Sequence, residues 1–290
     1  MYTIQNAGLT AKITPTGIEL ASLVDQSTGL EYIWQADPDV WGSHAPVLFP
    51  IIGGLKNGVY TFAEKSFQLP KHGMVRRNPN LRVVEHSPDQ ITFELTTSPA
   101  TLVMYPFDFR LLVTYQLEGR TLIQQHTVEN KGDTPLYFSL GGHPAFRVPL
   151  RDGEQYEDYQ LVFEHPEDAL SRTVNAEGLI GPEMRTVPWE GNSIPLRHEL
   201  FANDALVFTD LSSRFTAIAH SDRGEILRVT YPDFPFLGVW AKTNGDFVCI
   251  EPWLGIADLH DTDGDFTQKY GIQSLAGKES FQASFTIEVA

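Results

Sequence analysis

The last stretch of the chain alternates strictly, with Phe281, Ala283, Phe285, Ile287 and Val289 apolar and Gln282, Ser284, Thr286 and Glu288 polar between them. Successive side chains of a β-strand point to opposite faces, so this pattern predicts a strand with one buried side. The same period, or a short apolar run, predicts strands at 90–96, 109–117, 121–129, 136–140, 159–163, 206–209, 215–220, 226–231 and 247–251. Turn residues in Leu117-Glu118-Gly119-Arg120, Asn130-Lys131-Gly132-Asp133 and Asp222-Arg223-Gly224-Glu225 predict antiparallel hairpins. Only 166–169 and 198–201 read as short helices. Many strands, Gly and Pro punctuation and so little helix predict an all-β fold of two antiparallel sheets packed face to face. The proline-rich stretches at 45–50 and 231–235 are too apolar and aromatic to be linkers, and no repeat interrupts the pattern. Residues 1–290 are therefore expected to form a single domain.

Composition narrows the partners. The chain carries 21 Lys and Arg against 37 Asp and Glu, a formal charge of −16. Nucleic acids and anionic membranes are bound by clustered cations, and no basic run here is longer than Arg76-Arg77. Cys249 is the only cysteine, which excludes an internal disulfide and any multi-cysteine zinc or iron–sulfur site and fits the cytoplasm. The first residues lack a basic and then apolar leader pattern, and no run approaches the roughly 18 apolar residues of a membrane span. A soluble, cytoplasmic protein is expected.

Four segments combine titratable residues with glycine, proline or aromatics: 71–76 around His72, 141–146 around His143, 201–206 around Asp204, and 249–255 around Glu251. The pair Gly141-Gly142 is expected to turn the backbone sharply and aim His143 into a cleft, although a turn histidine held by a carbonyl fits as well. Glu251 ends an apolar strand and precedes Pro252-Trp253, so desolvation should raise its pKa; a glutamate at a strand end is otherwise usually just solvated. His72 beside Gly73 reads as a loop imidazole near a ligand or as plain surface. Asp204 reads equally as a turn or cap residue. Trp253, Trp240, Trp41 and Phe146 are candidates for a sugar-stacking platform and also for the core. Asp261-Thr262-Asp263-Gly264-Asp265 misplaces the glycine of a calcium loop, the segment 53–58 lacks a P-loop ending, and no Gly-x-Ser-x-Gly elbow is present.

Taken in order over nearly the whole chain, these segments resemble the aldose 1-epimerase (galactose mutarotase) superfamily, especially its LacX-like branch. Gly-Gly-His-Pro at 141–144 and Ile-Glu-Pro-Trp at 250–253 carry most of the likeness. The resemblance implies a large antiparallel β-supersandwich and a cofactor-independent, metal-free isomerase that interconverts hexose anomers. It implies that Glu251 is the general base, His143 the general acid, and that His72 and Asp204 position the sugar. Where many galactose mutarotases carry Asn-Arg, this sequence has Gly53-Gly54, so Lys56 or Arg76 is expected to supply the missing cationic contact. Three alternatives stay open: epimerisation of a hexose 6-phosphate, sugar binding without turnover, and glycoside hydrolysis. For the first, Lys56, Lys71, Arg76 and Arg77 are the candidate cations, but a chain at −16 offers a dianion no general attraction.

Overall fold

The C-terminal strand, Ser280–Val289, lies inside the larger of the two principal sheets, antiparallel to Thr121–Asn130 on one side and Gly224–Thr230 on the other. These positions come from a computed structural model that describes residues 1–290. The sheet has nine strands, running from Ser193–Pro195 at one edge to Arg82–His86 at the other. As the alternation requires, Phe285, Ile287 and Val289 are buried while the residues between them face outward.

The second sheet has eight strands. Phe247–Leu254 lies within it, paired with Phe236–Trp240 on one side and with both Leu140–Gly142 and Ala145–Arg147 on the other. Its inward residues, among them Leu206, Phe208, Leu237, Val239, Val248 and Ile250, join Phe285 and Ile287 of the larger sheet in one apolar core. Its outward face carries a second, small apolar cluster that includes Leu48, Ile52, Ile180, Val207, Trp253 and Ala257. One sheet therefore separates the main, largely apolar core from a covered outer face. The fold is the antiparallel all-β sandwich that the alternation predicts, and no helix is long and apolar enough to cross a membrane.

Local departures have physical reasons. The stretch 136–140 is two strands, because Leu136–Phe138 pairs with Gln273–Leu275 while Leu140–Gly142 joins the eight-stranded sheet. The turn at 130–133 consequently closes no hairpin with the strand after it; Asn130 Nδ2 instead donates to the carbonyls of Thr134, Leu275 and Ala276. Residues 166–169 are not helical, and the Glu167 carboxylate is used to accept from Ser212 and Ser213. The other short helix forms as a single 3-10 turn, His198–Phe201. The one α-helix, Pro99–Met104, escapes the periodicity because it is too short, yet its start is marked by the Ser98 cap, Pro99 and a reciprocal Ser98–Thr101 box.

Candidate active site

A cavity of about 250 Å³ opens on the outer face of the eight-stranded sheet. Every sequence segment singled out for chemistry contributes to it: His72, Arg76, His143, Asp204, Glu251 and Trp253 all line it. Lys56 does not. Its ammonium donates to the Thr262 carbonyl at 3.1 Å and its backbone N–H to Asp258 Oδ2, so it ties two loops together. Phe146 is also placed elsewhere, fully buried in the main core, whereas Trp41 and Trp240 wall the cavity with Trp253.

Glu251 and Trp253 share a face of the central strand, being two residues apart. Opposite Glu251 in the ladder stands Gly238, and a Cβ there would lie 2.5 Å from the Trp253 ring. That glycine is what lets the indole lie against the sheet. The pair Gly141-Gly142 has a related role rather than the sharp turn expected, since neither residue has a positive φ. A Cβ on Gly141 would meet the Pro252 carbonyl at 2.6 Å, and one on Gly142 would meet the Phe285 ring at 2.6 Å. The glycines let the strand that delivers His143 slide between its neighbour and the opposing sheet.

His143 Nε2 faces Glu251 Oε2 at 3.2 Å, and both side chains are buried. Trp41 stacks on the imidazole at 5.1 Å between ring centroids, and Trp240 meets it edge-on at 5.8 Å. His143 Nδ1 and Glu251 Oε2 have no hydrogen-bond partner. Burial pushes the Glu251 carboxyl well above the usual carboxylate range, against a counter-pull from the Lys71 ammonium. Burial drives His143 down to about 3, and the Arg76 charge adds to that. The empty pair is thus an uncharged carboxyl beside an uncharged imidazole.

His72 stands at 5.5 Å from His143, ring to ring. Its Nδ1 accepts from the Gly53 N–H at 3.2 Å, so the neutral ring must carry its proton on Nε2, the atom left for a ligand. Burial and the charge of its neighbours hold this imidazole neutral too. His72 and Asp204 adopt left-handed backbone conformations, φ 68° and 67°, which strain non-glycine residues and concentrate at functional loops. Gly73 must be glycine, since a Cβ would sit 2.1 Å from the Phe49 carbonyl oxygen. Gly53 packs so closely on Ala257 that a Cβ would fall 2.4 Å from its methyl, so no side chain can project there. Of the two cations expected to take over the lost contact, Arg76 reaches the cavity.

One grouping could hold a metal ion: donor atoms of His143, Cys249 and Glu251 lie within 4.8 Å of one another. Burial keeps the Cys249 thiol and the Glu251 carboxyl protonated, so a metal would have to displace both protons to bind. The sequence, in which Cys249 serves only to exclude a disulfide and multi-cysteine metal sites, does not show this grouping. It also missed Lys242, although alternation along the chain from Trp240 puts both side chains on the same side. Val174 and Ile180 were missed because their strands, Ser171–Val174 and Ile180–Arg185, show no clean alternation, and Gly178 lies in the turn between them.

A small cavity walled by tryptophans lies on an antiparallel β-sandwich, with a carboxyl and an imidazole in contact at its base. The chain belongs to the aldose 1-epimerase family, whose model matches residues 1–179, and it is an isomerase with a sugar epimerase or mutarotase role. It is 32% identical over 99% of its length to the plasmid-encoded protein LacX of Lactococcus lactis subsp. lactis, covering 98% of that protein. A galactose mutarotase related enzyme from Lactobacillus acidophilus superposes with a TM-score of 0.93 at 34% identity, over 100% of this chain and 97% of that one. A galactose mutarotase-like protein from Lactobacillus casei gives 0.93 at 30% identity, with 100% of both chains covered.

Proposed function

We propose that the protein interconverts the α and β anomers of an aldohexose, with Glu251 and His143 as the proton-transfer pair. The observation that carries this reading is the 3.2 Å contact between Glu251 Oε2 and His143 Nε2, both buried at the base of a sugar-sized cavity. Ring opening removes the proton from the C1 hydroxyl, breaks C1–O5 with its electron pair going to O5, and delivers a proton to O5. The aldehyde that results rotates about C1–C2. Reclosure from the other face returns both protons to their donors.

Glu251 serves as the base at the C1 hydroxyl and His143 as the acid at O5. The carboxyl proton rests on Glu251 in the empty site and crosses to His143 before opening, helped by Lys71, whose charge favours the Glu251 anion. The hop conserves the proton count, so the site needs no exchange with solvent. His72 Nε2–H donates to a ring hydroxyl. Asp204 Oδ1 accepts from the Ala205 N–H at 2.7 Å, which orients the carboxylate toward the sugar. Each proton-transfer group is worth about 10²–10⁴-fold. Polarimetry on freshly dissolved α-glucose and α-galactose tests the reading: the wild type accelerates the decay, and Glu251→Gln or His143→Asn removes the acceleration. Unchanged catalysis in both variants overturns it.

A further inference from the structure

Of the 21 lysines and arginines only Lys269 is buried, and its ammonium meets Asp258 Oδ1 at 2.7 Å. Neither residue lines the cavity, and the proton transfers use neither. A buried ion pair adds little net stability over apolar residues of the same volume, so stability alone does not account for it. The carboxylate offers something an apolar side chain lacks, a second acceptor. Asp258 Oδ2 takes the backbone N–H of Lys56 at 2.9 Å.

That bond reaches the site through the main chain. Asp258 N–H donates to the Gly54 carbonyl at 3.0 Å, so one residue clamps the segment 54–56 at both ends. Gly53, just before it, packs against Ala257, just before Asp258. Gly53 in turn exchanges two hydrogen bonds with His72: its N–H donates to Nδ1 at 3.2 Å, and its carbonyl accepts the His72 N–H at 2.8 Å. The left-handed backbone of His72 persists only where its surroundings enforce it, and this clamp is part of that enforcement.

We propose that Asp258, held in place by Lys269, is a positioning residue for His72: it fixes the segment 53–56 so that the Gly53 N–H occupies Nδ1 and the ring proton stays on Nε2, the atom left for the sugar. The proposal rests on the reading in which Nε2–H donates to a ring hydroxyl. Without the clamp the Gly53 N–H leaves Nδ1, the neutral ring takes either tautomer, and Nε2 accepts where it should donate. A hydroxyl contact made alike in the ground state and the transition state sets KM, not kcat.

Two double variants test this, and neither leaves a buried charge unpaired. Asp258→Ala with Lys269→Met removes both charges and the acceptor, whereas Asp258→Asn with Lys269→Met removes both charges and keeps an oxygen for the Lys56 N–H. Nitrogen-15 NMR of the His72 ring should show the proton on Nε2 in the wild type and a mixture of tautomers in the first variant. That variant should also raise KM for the hexose roughly 3- to 10-fold, the worth of one neutral hydrogen bond, with kcat held. The second variant should restore both readouts. Lys56→Pro deletes the same N–H with the ion pair intact and covers the case in which the first variant fails to fold. Proline fits the first position of that 3-10 turn, and Leu55 before it is already extended at φ −99° and ψ 148°. Lys56→Met, which keeps the N–H and loses only the ammonium, is its control. A His72 tautomer unchanged in Lys56→Pro and in the first double variant overturns the proposal whatever the kinetics, because a merely structural pair lowers the folded fraction and leaves the ring as it was. If the wild type turns over no sugar, the anomer reading falls, and the tautomer still decides the role of Asp258.

Discussion

Ser280–Val289 and Phe247–Leu254 are both interior strands, one in each sheet, but the first buries one face and the second buries both. Both contribute the same thing inward: Phe285 and Ile287 from one, Val248 and Ile250 from the other, all in one core. Outward they differ. Thr286 and Glu288 meet solvent, whereas Glu251 and Trp253 are covered by loops and face the cavity. A carboxyl in that position is desolvated, which the fold tolerates only because the group gives up its charge. The core-packing face and the face proposed to react are thus opposite sides of one strand, and they should separate under mutation.

The largest separation is expected at Glu251. Glu251→Gln keeps the shape and removes the transferable proton, so catalysis should fall by about 10²–10⁴-fold while thermal stability at neutral pH holds or rises. Polarimetry and a melting curve on the same sample check both halves. Phe285→Ala should do the reverse, costing about 3–5 kcal/mol of stability in urea titrations while the folded fraction retains most of its rate. A Phe285→Ala protein that is stable but inactive would break the distinction between the two faces.

Gly142→Ala probes the point where the faces touch. A Cβ there would sit 2.6 Å from the Phe285 ring, and the same strand delivers His143. Overpacking should cost about 1–3 kcal/mol, and displacement of the imidazole should lower kcat more than it raises KM. Combining it with Phe285→Leu, which vacates space at the ring, should restore part of both losses if the contact is the cause.

Legibility followed the same division. The strand at 280–289 could be read to within a residue because solvent on one side enforces strict alternation. The strand at 247–254 runs three residues past its expected end, since a strand buried on both faces shows no alternation to count. The residues that converge on the cavity were mostly visible as motifs, because His72, His143, Asp204 and Glu251 stand among glycines, prolines and aromatics that a plain core does not need. Their spacing was not. Lys56 and Arg76 looked alike as cations near glycine, and only long-range hydrogen bonding to Thr262 shows that Lys56 is used elsewhere. The reason for Gly141-Gly142 was also out of reach, because it depends on Phe285, far along the chain.

The smallest effect is the pH dependence of stability. Glu251 is raised in the folded protein, so above about 4.3, the usual glutamate value, the unfolded chain releases a proton that the folded one keeps. The folded state then binds more protons, and stability falls as pH rises from that point toward the folded pKa. Gln at 251 has no such proton, so the melting temperature of Glu251→Gln should gain on the wild type from pH 4 to pH 8, by a few degrees. His143 contributes the opposite slope: held down to about 3 against an unfolded value of about 6.5, it makes the wild type lose stability as pH falls between those limits. His143→Asn should flatten that acid limb. Because the two groups lie 3.2 Å apart, each variant also changes its partner, and only the double variant removes both slopes. Wild type and Glu251→Gln running parallel from pH 4 to pH 8 would mean that the carboxyl is ionised in the empty site, and the proposed transfer from Glu251 to His143 before ring opening would fall.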